Sequence, residues 1–211
     1  MIYEMITYIQ KDYERYLTLI EQHVVLDLIA FFICIGIAVP LGYLCAKKEK
    51  AAIPIMAFAN LVMVIPSLAL FALLQPIMGI GNAPALVALV FLSMPTMLIS
   101  TRAGIKSVDP CILENAGAMG MPRWKVCLQV EIPLAMPAIL NGFRVTAVSL
   151  IAGTTIAAYV GAGGLGFYIK LGLTARQHEV MYVGALTVAA MAILVDCILA
   201  YIQRKQIEKI A

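Results

Sequence analysis

Residues 109–133 read Asp109-Pro110-Cys111-Ile112-Leu113-Glu114-Asn115-Ala116-Gly117-Ala118-Met119-Gly120-Met121-Pro122-Arg123-Trp124-Lys125-Val126-Cys127-Leu128-Gln129-Val130-Glu131-Ile132-Pro133. From Glu114 to Pro133 the stretch carries charge, two glycines and two prolines, yet a long apolar block lies on either side of it. Asp109 followed by Pro110 is a helix start, an acidic cap and then a proline in the first turn. That helix is predicted to run to about Met119 and to stop at Gly120, which supplies a left-handed turn. Pro122 opens a second short helix that ends before Pro133. The stretch is therefore a helix-turn-helix rather than a floppy linker. Ala116, Gly117 and Ala118 make part of the first helix thin enough for a partner's groove to approach its backbone, and Arg123 and Lys125 make the following turn basic.

The blocks on either side set the class. Of 211 residues, 63% are hydrophobic and 13% charged, with mean hydropathy +0.95. Soluble domains carry about 25% charged residues, so this composition predicts an all-α integral membrane protein. Apolar runs at 24–46, 52–75, 84–101, 135–160 and 180–202 are each about the ~20 residues that a crossing needs. The Lys47-Lys48-Glu49-Lys50 cluster stops the first, and Asn82-Ala83-Pro84 starts the third. Residues 2–22 fit an amphipathic sixth helix in the outer interface. The chain divides into an extracytoplasmic segment (1–23), a membrane domain (24–202) with a loop at 102–134, and a tail (203–211). The first apolar block is too long for the core of a cleavable signal peptide.

Lysine and arginine set the orientation. With the N-terminus outside, ten of them (Lys47, Lys48, Lys50, Arg102, Lys106, Arg123, Lys125, Arg204, Lys205, Lys209) lie inside and four (Lys11, Arg15, Lys170, Arg176) outside. This places the 102–134 loop and the C-terminus in the cytoplasm. Arg144 and Asp196 remain within the fourth and fifth spans, where an ionisable group costs about 2.5–3.5 kcal/mol. Both fall in the inner third, and a mutual pair fixing the two helices competes with Arg144 reaching the inner headgroups. Pro40-Leu41-Gly42, Ile65-Pro66-Ser67 and Gly153-Thr154-Thr155 place helix-weakening residues at membrane depth. They fit either a translocation path or close packing through small residues. Asn60, Ser67, Thr146, Ser149, Thr155 and Tyr159 are the polar candidates for lining such a path.

Several patterns point to chemistry that their context excludes. Gly161-Ala162-Gly163-Gly164-Leu165-Gly166 has dinucleotide-site glycine spacing but lacks the soluble βαβ unit such a site needs, and reads as an outward turn capping the fourth span. His178-Glu179-Val180-Met181-Tyr182 has Tyr182 where a zinc protease has its second histidine. His23 and His178 read as outer-surface residues. The five cysteines (Cys34, Cys45, Cys111, Cys127, Cys197) have no metal spacing and read as small buried hydrophobes. No metal or cofactor is implied, and no glycine-rich Lys-Ser/Thr phosphate loop occurs anywhere. Energy for any pumping must come from another subunit.

Glu114, Ala116, Gly120, a nine-residue gap, then Val130, Ile132 and Pro133 resemble the "EAA" signature of ABC-importer permeases. The pattern is Glu-Ala-Ala, three residues, Gly, nine residues, Ile, one residue, Leu-Pro. This chain departs from it at Asn115, Val130 and Ile132. Further segments (Ile65-Pro66-Ser67-Leu68-Ala69, Gly79-Ile80-Gly81, Pro84 to Leu89, Gly104 to Pro110 and Gly161 to Gly166) are similar to the glycine betaine/carnitine/choline osmoprotectant permeases. The resemblance covers nearly the whole chain from about residue 17.

It implies a type I ABC importer (MetI-like) transmembrane fold with five core helices, in a bacterial cytoplasmic membrane. It further implies a separate ATPase subunit docking on Glu114, Asn115, Ala116, Gly117, Gly120, Arg123, Val130, Ile132 and Pro133. An extracytoplasmic solute-binding protein and a second permease chain, identical or related, complete the assembly in the lipid; nucleic acid is no partner. The chain itself would not be an enzyme. The competing readings are the same machine with another solute such as methionine, an intramembrane enzyme, and a passive channel. The only tryptophan, Trp124, lies in the cytoplasmic loop, so an outer aromatic cage for a quaternary ammonium belongs to the binding protein.

Overall fold

Apolar side chains that gain nothing by leaving lipid are held together by close backbone approach, and the helices of this chain meet at small residues. The computed structural model describes residues 2–208; Lys209, one of the ten inner cations, lies outside them. Among the described residues all regular elements are helical. They are α1 (Ile2–Lys11), α2 (Tyr13–Lys47), α3 (Glu49–Val64), α4 (Ser67–Met78), α5 (Asn82–Lys106), α6 (Pro110–Ala118), α7 (Arg123–Val126), α8 (Ile132–Ala157), α9 (Gly166–Ala175) and α10 (His178–Glu208).

Helix α5 is the centre of the bundle and packs against both α2 and α8, which also touch each other; α10 packs on α8. A Cβ built on Gly42 of α2 would stand 2.8 Å from the Leu98 carbonyl oxygen of α5, and one on Gly142 of α8 would stand 2.6 Å from Ser100 Cβ. One apolar core (Cys34, Ala38, Met97, Leu98, Ile105, Ala135, Ile139) fills the end near α6 and α7, the loop end. Another (Leu26, Ala30, Phe71, Ala88, Leu89, Leu150, Val160) fills the far half. Outside the bundle, α1 and α9 close a smaller cluster of Leu19, Leu165, Tyr168, Val180 and Val183 at the far end. Burial lifts the Tyr168 phenol to about 12, with the charge of Asp12 adding to it.

The structure departs from the sequence expectations at several places. Residues 2–22 are not one helix: α1 ends at Lys11, and α2 starts at Tyr13 and runs unbroken into the apolar block. Neither Pro40-Leu41-Gly42 nor Gly153-Thr154-Thr155 interrupts its helix. Pro40 lies inside α2, which continues unbroken to Lys47. At the second site Leu89 packs on bare Gly153, and the Thr154 and Thr155 hydroxyls bond to Asp27 and to the Ile151 carbonyl. The break at Ile65-Pro66 is real: α3 and α4 meet at 97°.

The second helix of the polar loop does not end before Pro133. It passes from α7 through a π-helical turn (Cys127–Glu131) directly into α8. A proline lacks the amide hydrogen and crowds the preceding turn, and the wider π turn relieves that crowding just before Pro133.

Candidate functional site

The polar loop is built from caps outward. The Asp109 carboxylate accepts from the Cys111 amide at 2.8 Å and opens α6 at Pro110. At the other end the Met121 amide donates to the Ala116 carbonyl (3.2 Å) and the Gly120 amide to Gly117 (3.0 Å). With Gly120 at φ +84° this is a Schellman closure, which needs a residue free to enter the left-handed region. Leu113 and Ala116, three residues apart, turn toward the chain. Glu114, Asn115, Gly117, Gly120 and Arg123 are exposed, and a Cβ on Gly117 or Gly120 would meet nothing within 4 Å. Val130, Ile132 and Pro133 are half-buried where the π turn joins α8. Ala116 is thus a packing residue, and the thin outward surface is Gly117 and Gly120. Trp124 is 61% exposed on α7, which fits a partner surface better than a core.

Glu131, absent from the sequence-derived site, closes the π turn and is only 3% exposed. Its carboxylate forms an ion pair with Lys47 at the end of α2 and accepts from the Tyr43 hydroxyl at 3.5 Å. The same hydroxyl lies 3.1 Å from Cys127 Sγ. A carboxylate buried at the edge of an apolar span needs such a partner. The one signal in the sequence is that Glu131 interrupts Val130 and Ile132 with a charge. A second ionic cluster ties neighbouring elements at this end: Glu49 of α3 accepts from Arg102 (3.1 Å) and Lys106 (2.8 Å) of α5.

Arg144 and Asp196 meet. Arg144 also donates to Gln203 Oε1 at 2.9 Å, and Gln203 donates back to the Pro137 carbonyl at 2.8 Å, so α8 and α10 are cross-linked through three side chains. The pair lines a groove of about 460 Å³ between the two helices, together with Asn141 and Ser149.

The structure does not gather the six path candidates in one cavity. Ser149 lines that groove, Asn60 is exposed on α3, and Ser67 begins α4 at the break. Thr146 is fully buried with an unpartnered hydroxyl. Thr155 bonds within its own helix at 3.2 Å. Tyr159 is exposed beside the Lys170 ammonium, 5.6 Å from its ring centre.

At the far end, the glycine turn after α8 seats on α2. Gly161, Gly163 and Gly164 have φ of +82°, +75° and +75°. The Gly164 amide donates to Gln22 Oε1 and the Leu165 amide to His23 Nδ1, both at 3.2 Å. That leaves the His23 proton on Nε2, which donates to the Ile151 carbonyl at 3.1 Å. Asp27 stands 3.5 Å from the same nitrogen and accepts from Thr154. His23 is fully buried rather than on the surface, because the turn folds over it; His178 is exposed at the start of α10. All five cysteines are free; Cys34 and Cys45 are buried, while Cys111 and Cys197 are exposed.

The family described as "Binding-protein-dependent transport system inner membrane component" matches residues 38–208. The chain is 40% identical over 202 residues to the glycine betaine/carnitine/choline transport system permease protein OpuCB of Bacillus subtilis (strain 168), covering 96% of this chain and 93% of that one. It is 36% identical to the choline transport system permease protein OpuBB of the same organism, over 97% of this chain and 94% of the relative. The carnitine transport permease protein OpuCB of Listeria monocytogenes is 34% identical, over 91% of this chain and 88% of the relative. Among solved structures, an inward-facing form of the MetNI methionine ABC transporter superposes with TM-score 0.84 at 20% identity, over 93% of this chain and 98% of that one. An amino acid ABC transporter solved with histidines superposes at 0.79, also at 20% identity, over 94% and 97%.

Proposed function

The chain belongs to the family of binding-protein-dependent transport system inner membrane components, and from that membership we propose that it is the membrane-spanning permease subunit of an ATP-driven importer for quaternary-ammonium or betaine-type compatible solutes. Its fold is that of the type I ABC importer transmembrane subunits. It is a transport subunit of a cell membrane, not an enzyme. Three relatives at 34–40% identity are glycine betaine, carnitine or choline permeases, and we extend that solute class to this chain. The methionine transporter, at 20% identity, speaks for the fold alone.

The observation that carries the reading is the exposed Glu114, Gly117, Gly120 and Arg123 surface on a capped loop that runs without a gap into α8. A separate ATPase subunit seats on this surface. ATP draws two such subunits together, each carrying its loop, and the bundles tilt so that the path opens outward. A loaded binding protein then releases solute, and hydrolysis resets the path. The lysine and arginine balance supports an N-out, C-in orientation that puts the loop in the cytoplasm. A second permease chain covers the apolar surface of the bent α3–α4 element, where Leu61, Val64, Leu73 and Ile77 are exposed. Asn60, Ser67, Ser149, Thr155 and Tyr159 are the lining residues we keep for the path; Thr146 faces the core.

The test is reconstitution in proteoliposomes with the ATPase and the binding protein. ATP-dependent accumulation of choline, carnitine or glycine betaine, and not of methionine, is the expected result. Solute flux independent of ATP, or methionine accumulation, would overturn the reading.

A further inference from the structure

Helix α2 is bonded at its loop end to the π turn that leads into α8, and further along to α8 and the turn that follows it. At the loop end, Lys47 pairs with the buried Glu131, and Tyr43 reaches both Glu131 and Cys127. Toward the far end, Asp27 accepts from Thr154, His23 bonds to the Ile151 carbonyl, and Gln22 and His23 accept from the glycine turn that leaves α8. From Gln22 to Lys47 α2 is one unbroken helix, a span of about 38 Å at 1.5 Å per residue.

The loop-end contact is placed where motion would otherwise be lost. Glu131 is the last residue of the π turn, the only departure from α-helical winding between α7 and the end of α8. Such turns are sites where a helix changes direction or yields. A displacement of α6 and α7 can bend this turn and dissipate there. Lys47 and Tyr43, gripping the turn at Glu131 and Cys127, pass the displacement into α2 as well.

We propose that Tyr43, Lys47 and Glu131 form a latch that makes α2 move with the ATPase-docking loop, and that α2 delivers this motion through Gln22 and His23 to the outward glycine turn. These are positioning residues. The inference rests on the docking role given to the loop above, and it assigns α2 as the strut joining the ATPase side to the binding-protein side. Physical coupling of this kind needs a connected chain of packed or bonded groups with two arrangements. The two bonded ends and the continuous helix supply the connection.

The test uses the complete importer in proteoliposomes, comparing Lys47→Met, Glu131→Gln, the swap Lys47→Glu with Glu131→Lys, and Gln22→Ala at the other end of the strut. Three quantities are read: ATPase co-purification, basal ATP hydrolysis, and the stimulation of hydrolysis by loaded binding protein. Co-purification and basal hydrolysis are expected to stay at the unmodified level in Lys47→Met and Gln22→Ala, while stimulation falls about tenfold in both. The charge swap is expected to recover stimulation relative to Lys47→Glu alone; a merely structural pair would move co-purification and basal hydrolysis together with stimulation. Unchanged stimulation in Lys47→Met and Glu131→Gln, or a swap no better than its single components, would overturn the latch. Failure of the unmodified chain to co-purify with any ATPase would instead overturn the docking role, so the two failures are distinguishable.

Discussion

Arg144 of α8 and Asp196 of α10 form a two-pronged pair, Nε to Oδ1 at 2.9 Å and Nη2 to Oδ2 at 3.0 Å. The forked geometry matches guanidinium to carboxylate and fixes the rotation of one helix against the other as well as their distance. Gln203 continues the link about two turns further along α10. Replacing either charge alone leaves the other without its partner on a helix long and apolar enough to cross a membrane. Arg144→Ala and Asp196→Ala are each expected to lower the melting temperature in detergent. The double variant is expected to lose less than the two singles together, as for interacting partners in a double-mutant cycle. Additive losses would count against the brace.

The docking surface yields a second prediction. Gly120 holds φ +84° with open space around it, so Gly120→Val is opposed by backbone strain of about 1–2 kcal/mol rather than by collision. That strain unwinds the end of α6 and moves Glu114 out of place. Gly120→Val and Glu114→Ala are expected to abolish ATPase co-purification while membrane insertion, read by protease protection, is unchanged. Transport at the unmodified rate would contradict the docking role.

Asp109 is the only side-chain cap that α6 has at its first turn. Asp109→Ala removes the bond to the Cys111 amide and costs α6 about 1 kcal/mol. Faster hydrogen exchange at the amides of residues 111–113, with weaker ATPase binding and unaltered exchange in α8, is the expected outcome; Asp109→Ser is expected to restore protection.

Two helical glycines give opposite expectations. Gly142→Ala drives a methyl group to 2.6 Å from Ser100 Cβ on α5, and overpacking of this kind costs about 1–3 kcal/mol. Gly36→Ala meets nothing within 4 Å and adds helix propensity of up to about 1 kcal/mol. Thermal unfolding is expected to fall for the first and to hold or rise for the second. The reverse order would refute the packing described for α5 and α8.

Much of the architecture was legible in residue order because it rests on local chemistry. Hydropathy marks where helices cross, Lys47 to Lys50 mark where α2 stops, and Asp109, Pro110 and Gly120 mark the ends of α6. The break at Ile65-Pro66 is equally local. Gly153 and Pro133 weaken an isolated helix, yet here the packing of Leu89 and a widened turn accommodate them, and Pro40 sits within α2 without interrupting it. Spacing alone could not reveal that Ala116 turns inward while Gly117 turns out.

The partners of the charged side chains belong to a different level. Composition and periodicity determine that this is a multi-helix membrane chain with one structured polar loop, because the free energy of each residue in lipid and of each cap depends on its near neighbours. Which charge meets which depends on groups 52 residues apart for Arg144 and Asp196, and 84 apart for Lys47 and Glu131. His23, which reads as a surface residue, is buried against α8 and under a turn 142 positions later. Such bonds form when helix packing brings distant residues within about 3 Å, a condition set by the assembled bundle and by no local run of sequence.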